Sequence, residues 1–158
     1  MGDRTHEYHD RVTGADYATA RAMVDDYIAR FSATVSAAAG ATIAFAPLDE
    51  DGFSCVTRGS ATVGINVLEK EDVLLFLARI MTVPDERREE LYRRLLELNY
   101  TATSEGAFAV DRETETISLR ALRSLCGLDY EEFESMLHTM AVVADEWDDE
   151  LMAEFGGH

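Results

Sequence analysis

Tyr17, Ala20, Val24, Tyr27, Phe31 and Val35 recur every three or four residues, the spacing that lines one stripe of a helix. Met23 and Ile28 widen that stripe. Asp16 stands where a side-chain oxygen can cap a first turn, and Gly40 where a left-handed residue can end a last one. The pattern predicts a helix over residues 16–39. Residues 1–14 are polar and aperiodic and predict a flexible tail. With no internal repeat or linker, residues 15–158 read as a single domain.

From residue 41 to 80 the period changes to two. Ile43 and Phe45 alternate with small residues before Pro47 and a turn at residues 49–52. Residues 53–57 follow, then a turn at Gly59, then Val63, Ile65 and Val67 facing one way. A polar break at residues 70–72 precedes residues 73–80, which are apolar on both faces. Short strands joined by Gly and Asp turns predict an antiparallel meander. Residues 73–80 should be its central strand, because continuous hydrophobicity suits a strand covered on both sides.

Pro84 suits a first helical position, with Asp85 and Glu86 near the positive end of the helix and Asn99 at its close. At about 100° per residue, Leu98, Leu91, Leu95, Tyr92 and Leu96 spread over roughly 160° of this helix. A helix that only covers a sheet needs a stripe of about 100°. The excess predicts a second apolar contact, most simply with a partner subunit. Residues 107–111 and 116–121 then form a hairpin with Ile117, Leu119 and Ala121 on one face. A last helix begins at Asp129, with Glu132 placed for a capping box and the Gly156–Gly157 pair as its stop. Tyr130, Phe133, Leu137, Met140, Ala144, Trp147 and Leu151 alternate in steps of three and four along it, a heptad seam. That helix spans roughly 40 Å against about 20 Å for a six-residue strand, so its acidic end should project beyond the sheet. The fold class is α+β, an antiparallel sheet of five to six strands with three helices in the order α-β-β-β-(β)-α-β-β-α.

Charge narrows the partners. The 158 residues carry a net charge of −17, with one lysine, Lys70. Phosphate backbones and anionic membranes both require a basic footprint, so neither nucleic acid nor membrane is expected as a partner. Ten carboxylates and no Lys or Arg lie between Asp129 and the end, which favours solubility and a basic segment on any protein partner. No apolar run reaches the roughly 20 residues of a bilayer span, and the first twelve residues lack a secretory core. The expected location is cytoplasmic, with Cys55 and Cys126 as reduced, buried thiols, a single disulfide between them being the alternative the sequence leaves open.

Constellations for chemistry are weak. His6-Glu7-Tyr8-His9 sets its histidines three apart, where a zinc-protease helix sets them four apart. Asp49-Glu50-Asp51-Gly52 opens like a calcium loop, but the twelfth position is Ser60 instead of Glu; a β-turn is the simpler reading. Cys126 precedes a helix and His138 lies on its flank, with nothing in the spacing to pair them. Asp145, Asp148 and Asp149 read as a solvated helix end. No catalytic, cofactor-binding or metal-ligating residue is assigned.

The order of elements, with Leu48-Asp49-Glu50-Asp51-Gly52, the strands 63–67 and 73–77, Val83-Pro84, Leu95-Leu96-Glu97-Leu98-Asn99, Gly106-Ala107-Phe108-Ala109-Val110-Asp111 and Ala144-Asp145-Glu146-Trp147 followed by Leu151, resembles the type III secretion chaperone-like superfamily. That group holds the CesT-type effector chaperones and the YbjN-type proteins, and the likeness covers residues 16–155. It implies a non-enzymatic homodimeric chaperone or adaptor that holds an extended segment of another protein. It places dimer contacts at Leu91, Tyr92, Leu95 and Leu96, and peptide-binding contacts at Tyr27, Phe31, Ile43 and Phe45. The ending Asp148-Asp149-Glu150-Leu151 through Phe155-Gly156-Gly157 looks more YbjN-like. The alternative is therefore a YbjN-type regulatory protein, in sensory transduction or stress, acting through a protein partner.

Overall fold

Residues 8–156 are described by the computed structural model of the chain. Two short strands, β1 (Tyr8–His9) and β2 (Asp16–Tyr17), pair antiparallel ahead of helix α1 (Ala20–Ala39). Strands β3 (Phe53–Arg58), β4 (Ala61–Leu68) and β5 (Val73–Thr82) come next, then helix α2 (Arg88–Thr101), strands β6 (Ala107–Asp111) and β7 (Thr116–Ser124), and helix α3 (Tyr130–Phe155). The larger sheet is five-stranded and antiparallel, in the order β3-β4-β5-β7-β6. The α+β class and the helix–meander–helix–hairpin–helix order are those the hydrophobic pattern predicts, and β5 stands in the middle of the sheet.

The chain divides into two compact units. One holds the chain up to Cys55, Ile65–Leu75 and Arg123–Ser135; the other holds Val56–Gly64, Phe76–Leu122 and the chain from Met136 onward.

In the first unit, α1 buries Ala20, Met23, Val24, Tyr27, Ile28 and Phe31 of the stripe read from the sequence, whereas Tyr17 falls in β2 and Val35, in the last turns of the helix, is only half-buried. Its start is later than expected. Thr19 is the cap, accepting from the N–H of Ala22 at 3.1 Å, because Asp16 and Tyr17 are taken into β2. Gly40 closes the helix at φ 64°, a left-handed conformation that a side chain would resist. Of the expected tail, residues 1–7 lie outside the described residues, and His6 and Glu7 of the His–Glu–Tyr–His run with them. Tyr27 packs against Tyr17, Tyr130 and Phe133 at centroid distances of 5.9, 5.7 and 5.6 Å and donates to Leu128 O at 3.0 Å. Burial pushes its phenol pKa up. The predicted capping box opens α3: the Glu132 N–H donates to Asp129 Oδ1 at 2.9 Å, and the Asp129 N–H to Glu132 Oε2 at 3.3 Å.

In the second unit, Phe76, Leu91, Leu98, Ile117, Leu119 and Leu137 are fully buried. Helix α2 begins at Arg88, not at Pro84. Arg87 takes a left-handed conformation (φ 57°) that no helix continues through, and Pro84 sits in the turn before it, its carbonyl accepting from Arg88 Nε at 2.8 Å. The helix also runs past Asn99 to Thr101.

Two expectations about exposure fail. Residue 77 of the central strand is 38% exposed and Arg79 is exposed, so β5 is not covered on both faces along its whole length by the described residues. Cys55 is half-buried and Cys126 exposed, both as free thiols, so neither is a core residue.

The end of α3, expected to project beyond the sheet, is tied down by side-chain contacts within the second unit. Asp145 Oδ1 accepts from the Ser60 N–H at 3.1 Å, and Asp148 accepts from Ser60 Oγ at 2.9 Å. At its C-terminus, Arg87 donates to Glu154 O at 2.8 Å and stacks over Phe155 with 4.8 Å to the ring centroid. A cation at that place also suits the negative end of the helix. Gly59 makes the Ser60 contact possible: it holds φ 54°, and a Cβ there would collide with the Asp145 carboxylate. Gly59→Ala should cost about 2 kcal/mol, measured by urea denaturation, through left-handed strain and loss of the Asp145 contact. An unchanged midpoint would mean the turn is not held by α3.

Candidate protein-binding surfaces

Residues 41–48 form no strand, contrary to the alternation of Ile43 and Phe45, yet their backbone is held. The partners are side chains of α1. Ser36 Oγ accepts from the Ile43 N–H and donates to Ile43 O, both at 2.8 Å. Ser32 Oγ accepts from the Phe45 N–H at 3.1 Å, and Asp25 Oδ1 from the Leu48 N–H at 2.7 Å. Arg21 donates to Asp49 O. Positions 21, 25, 32 and 36 share one helical face, so α1 offers a polar lane along which the backbone of residues 43–49 is bound. The Asp49 carboxylate accepts from the N–H groups of Asp51 and Phe53, which makes the acidic run a turn, the simpler of the two readings.

The four peptide-binding positions separate here. Tyr27 is consumed by the core, and Phe31 is buried against Phe45 with ring centroids 5.8 Å apart. Ile43 and Phe45 remain half-exposed.

On α2, Leu91, Leu95 and Leu98 face inward and are buried. Tyr92 is half-buried, Leu96 is 70% exposed and Tyr100 91% exposed. Those three are successive at i, i+4 and i+8, one row along the outside of the helix. The wide apolar arc is therefore real, and its inner part is filled by the protomer itself. Of the predicted dimer contacts, Leu91 and Leu95 are taken up by the chain's own core, while Leu96 and part of Tyr92 stay available. Tyr100 was missed because the helix was expected to stop at Asn99. Arg93 and Glu97 form an ion pair at 3.1 Å beside the row, and Arg94 lies 5.4 Å from the Trp147 ring centroid.

Residues 36–148 match the Tir chaperone protein (CesT) family. The chain belongs to that family. Among solved structures, it is similar to a chain of the ExsC–ExsE complex, at 23% identity over 81% of this chain and 96% of that one, with a TM-score of 0.57. It is similar to a chain of the HopA1–SchA chaperone–effector complex at 10% identity over 82% and 95%, with a TM-score of 0.60. YbjN from E. coli shares the fold at 13% identity over 79% and 91%, with a TM-score of 0.52. Among curated proteins, no sequence matches.

For this CesT-family chain, no group of three or more His, Cys, Asp or Glu that could hold a metal is found among the described residues, and no helix there is long and apolar enough to cross a membrane. His138 is exposed on α3.

Proposed function

We propose that this CesT-family chain is a chaperone or adaptor that pairs with a second copy of itself through α2 and holds an extended segment of another protein. The observation that carries the reading is the outer row of α2, where Leu96 and Tyr100 stand in solvent although the opposite face of the helix is already filled. A monomeric domain gains nothing from such a row; a second copy would cover it. For the client, the edge strand β3 offers backbone for strand addition, and Ile43 and Phe45 supply apolar contact. The net charge of −17 favours a basic client segment. The role is binding in the cytoplasm, with no catalytic residue, cofactor or metal assigned.

The alternative is a YbjN-type regulatory adaptor that meets a folded partner, supported by the fold shared with YbjN. One experiment separates them. The chain is used as bait, and the captured partner is mapped by limited proteolysis, with Phe45→Glu as comparison. An unfolded, protease-protected segment whose capture falls at least about tenfold with Phe45→Glu supports the chaperone reading. A folded partner held equally by both proteins favours the regulator.

A further inference from the structure

Asn99, expected to end a helix, does something else. Its Nδ2 donates to Phe108 O at 3.2 Å, and its Oδ1 accepts from the Phe108 N–H at 2.7 Å. One donor and one acceptor on a single residue of β6 is what a neighbouring strand would supply. β6 is an edge of the five-stranded sheet, and its register with β7 sets Phe108 opposite Leu119 and Val110 opposite Ile117. Because the Phe108 groups turn to Asn99, the Phe108–Leu119 pair is of the non-hydrogen-bonded kind. Alternation then gives Val110–Ile117 the same character, so the Val110 N–H and C=O also point outward. Among the described residues nothing pairs with them, and the Val110 side chain is 40% exposed. The outward rim of β6 thus has two stations, and Asn99 occupies one.

We propose that Asn99 is an edge guard: by filling the Phe108 station it closes β6 to the strand of a second copy of this chain. A five-residue edge with both stations open could pair with its own copy across a two-fold axis, and unpaired edges associate in this way. With one station filled, a single residue remains, too little to hold a strand. The proposal takes its functional meaning from the strand-addition reading above, since it leaves β3 as the receptive edge.

The test is Asn99→Ala in a Leu96→Glu background, so that association through the outer row of α2 is not counted. Sedimentation velocity over a concentration series should show self-association tightened by about tenfold, as two freed backbone groups per copy would give. Adding Val110→Pro, which removes the second outward N–H, should reverse the gain. Asn99→Asp keeps the acceptor and loses the donor, and should fall between; it decides the matter if Asn99→Ala does not fold. A folded Asn99→Ala or Asn99→Asp protein that sediments as its parent does at every concentration would overturn the guard and leave Asn99 a splint between α2 and β6. So would association that survives Val110→Pro. A client that never adds a strand would sink the strand-addition reading without touching this measurement.

Discussion

Leu95→Glu should unfold the chain, whereas Leu96→Glu should leave it folded and abolish self-association. The two positions are adjacent in sequence and opposite in environment. Leu95 is 4% exposed between Leu91 and Leu98 on the inner face of α2, and Leu96 is 70% exposed on the outer face. A carboxylate at 95 would lose its hydration with no partner for the charge, and the leucine packing would go with it. The cost is about 4 kcal/mol or more, a large share of the roughly 5–15 kcal/mol that holds a domain together. At 96 the side chain is already in water, so stability should change by less than about 0.5 kcal/mol. A new charge facing its own copy would instead repel across the interface. Circular dichroism melts separate the first effect, and light scattering at high concentration the second. A wild-type protein that is monomeric at all concentrations, or a Leu96→Glu protein that still pairs, would remove α2 as the interface.

How much of this was legible in the sequence varies with how local the cause is. The α1 stripe from Ala20 to Phe31, the capping box at Asp129 and the inward face Ile117–Leu119–Ala121 depend on neighbours three or four residues away, or two along a strand, and these are found as read. Residues 41–48 alternate like a strand, but their backbone partners are Ser32, Ser36 and Asp25 on a helix, which periodicity cannot announce. Asp16 and Thr19 are both good caps; the pairing of Asp16 with His9 decides between them, and that is a tertiary contact. The same limit governs the candidate site. The width of the α2 arc was visible, but which end of it faces the core is set by the sheet. Leu91 and Leu95 were therefore grouped with Leu96, and Tyr100 was left out.

Arg30→Ala should destabilise the fold by about 3 kcal/mol, and the effect should fade in acid. Asp10 is fully buried, an uncommon place for a carboxylate. Arg30 Nη1 meets its Oδ2 at 2.9 Å, and its Oδ1 accepts from the N–H groups of Val12 at 2.9 Å and Thr13 at 3.2 Å. The guanidinium also lies 4.2 Å from the Tyr130 ring centroid, so the pair joins the turn after β1 to α1 and α3 within the first unit. Removing the half-buried Arg30 strands the fully buried Asp10, and breaking a buried pair costs about 3–5 kcal/mol; the partial exposure of Arg30 and the two backbone donors left to Asp10 place the cost at the lower end. Burial raises the Asp10 pKa, but the hydrogen bonds from Arg30, Thr13 and Val12 outweigh it and hold the pKa below the ordinary 3.8. A carboxyl with a depressed folded pKa binds protons more readily in the unfolded chain. Its stabilisation is therefore complete above about pH 4 and is lost as pH falls toward the folded value. Urea denaturation of the wild type and of Asp10→Asn should show a stability gap that is flat from pH 7 to 5 and narrows below pH 4, since asparagine cannot lose a charge it lacks. A gap of constant size down to pH 3 would mean that packing, and not the ion pair, fastens this turn.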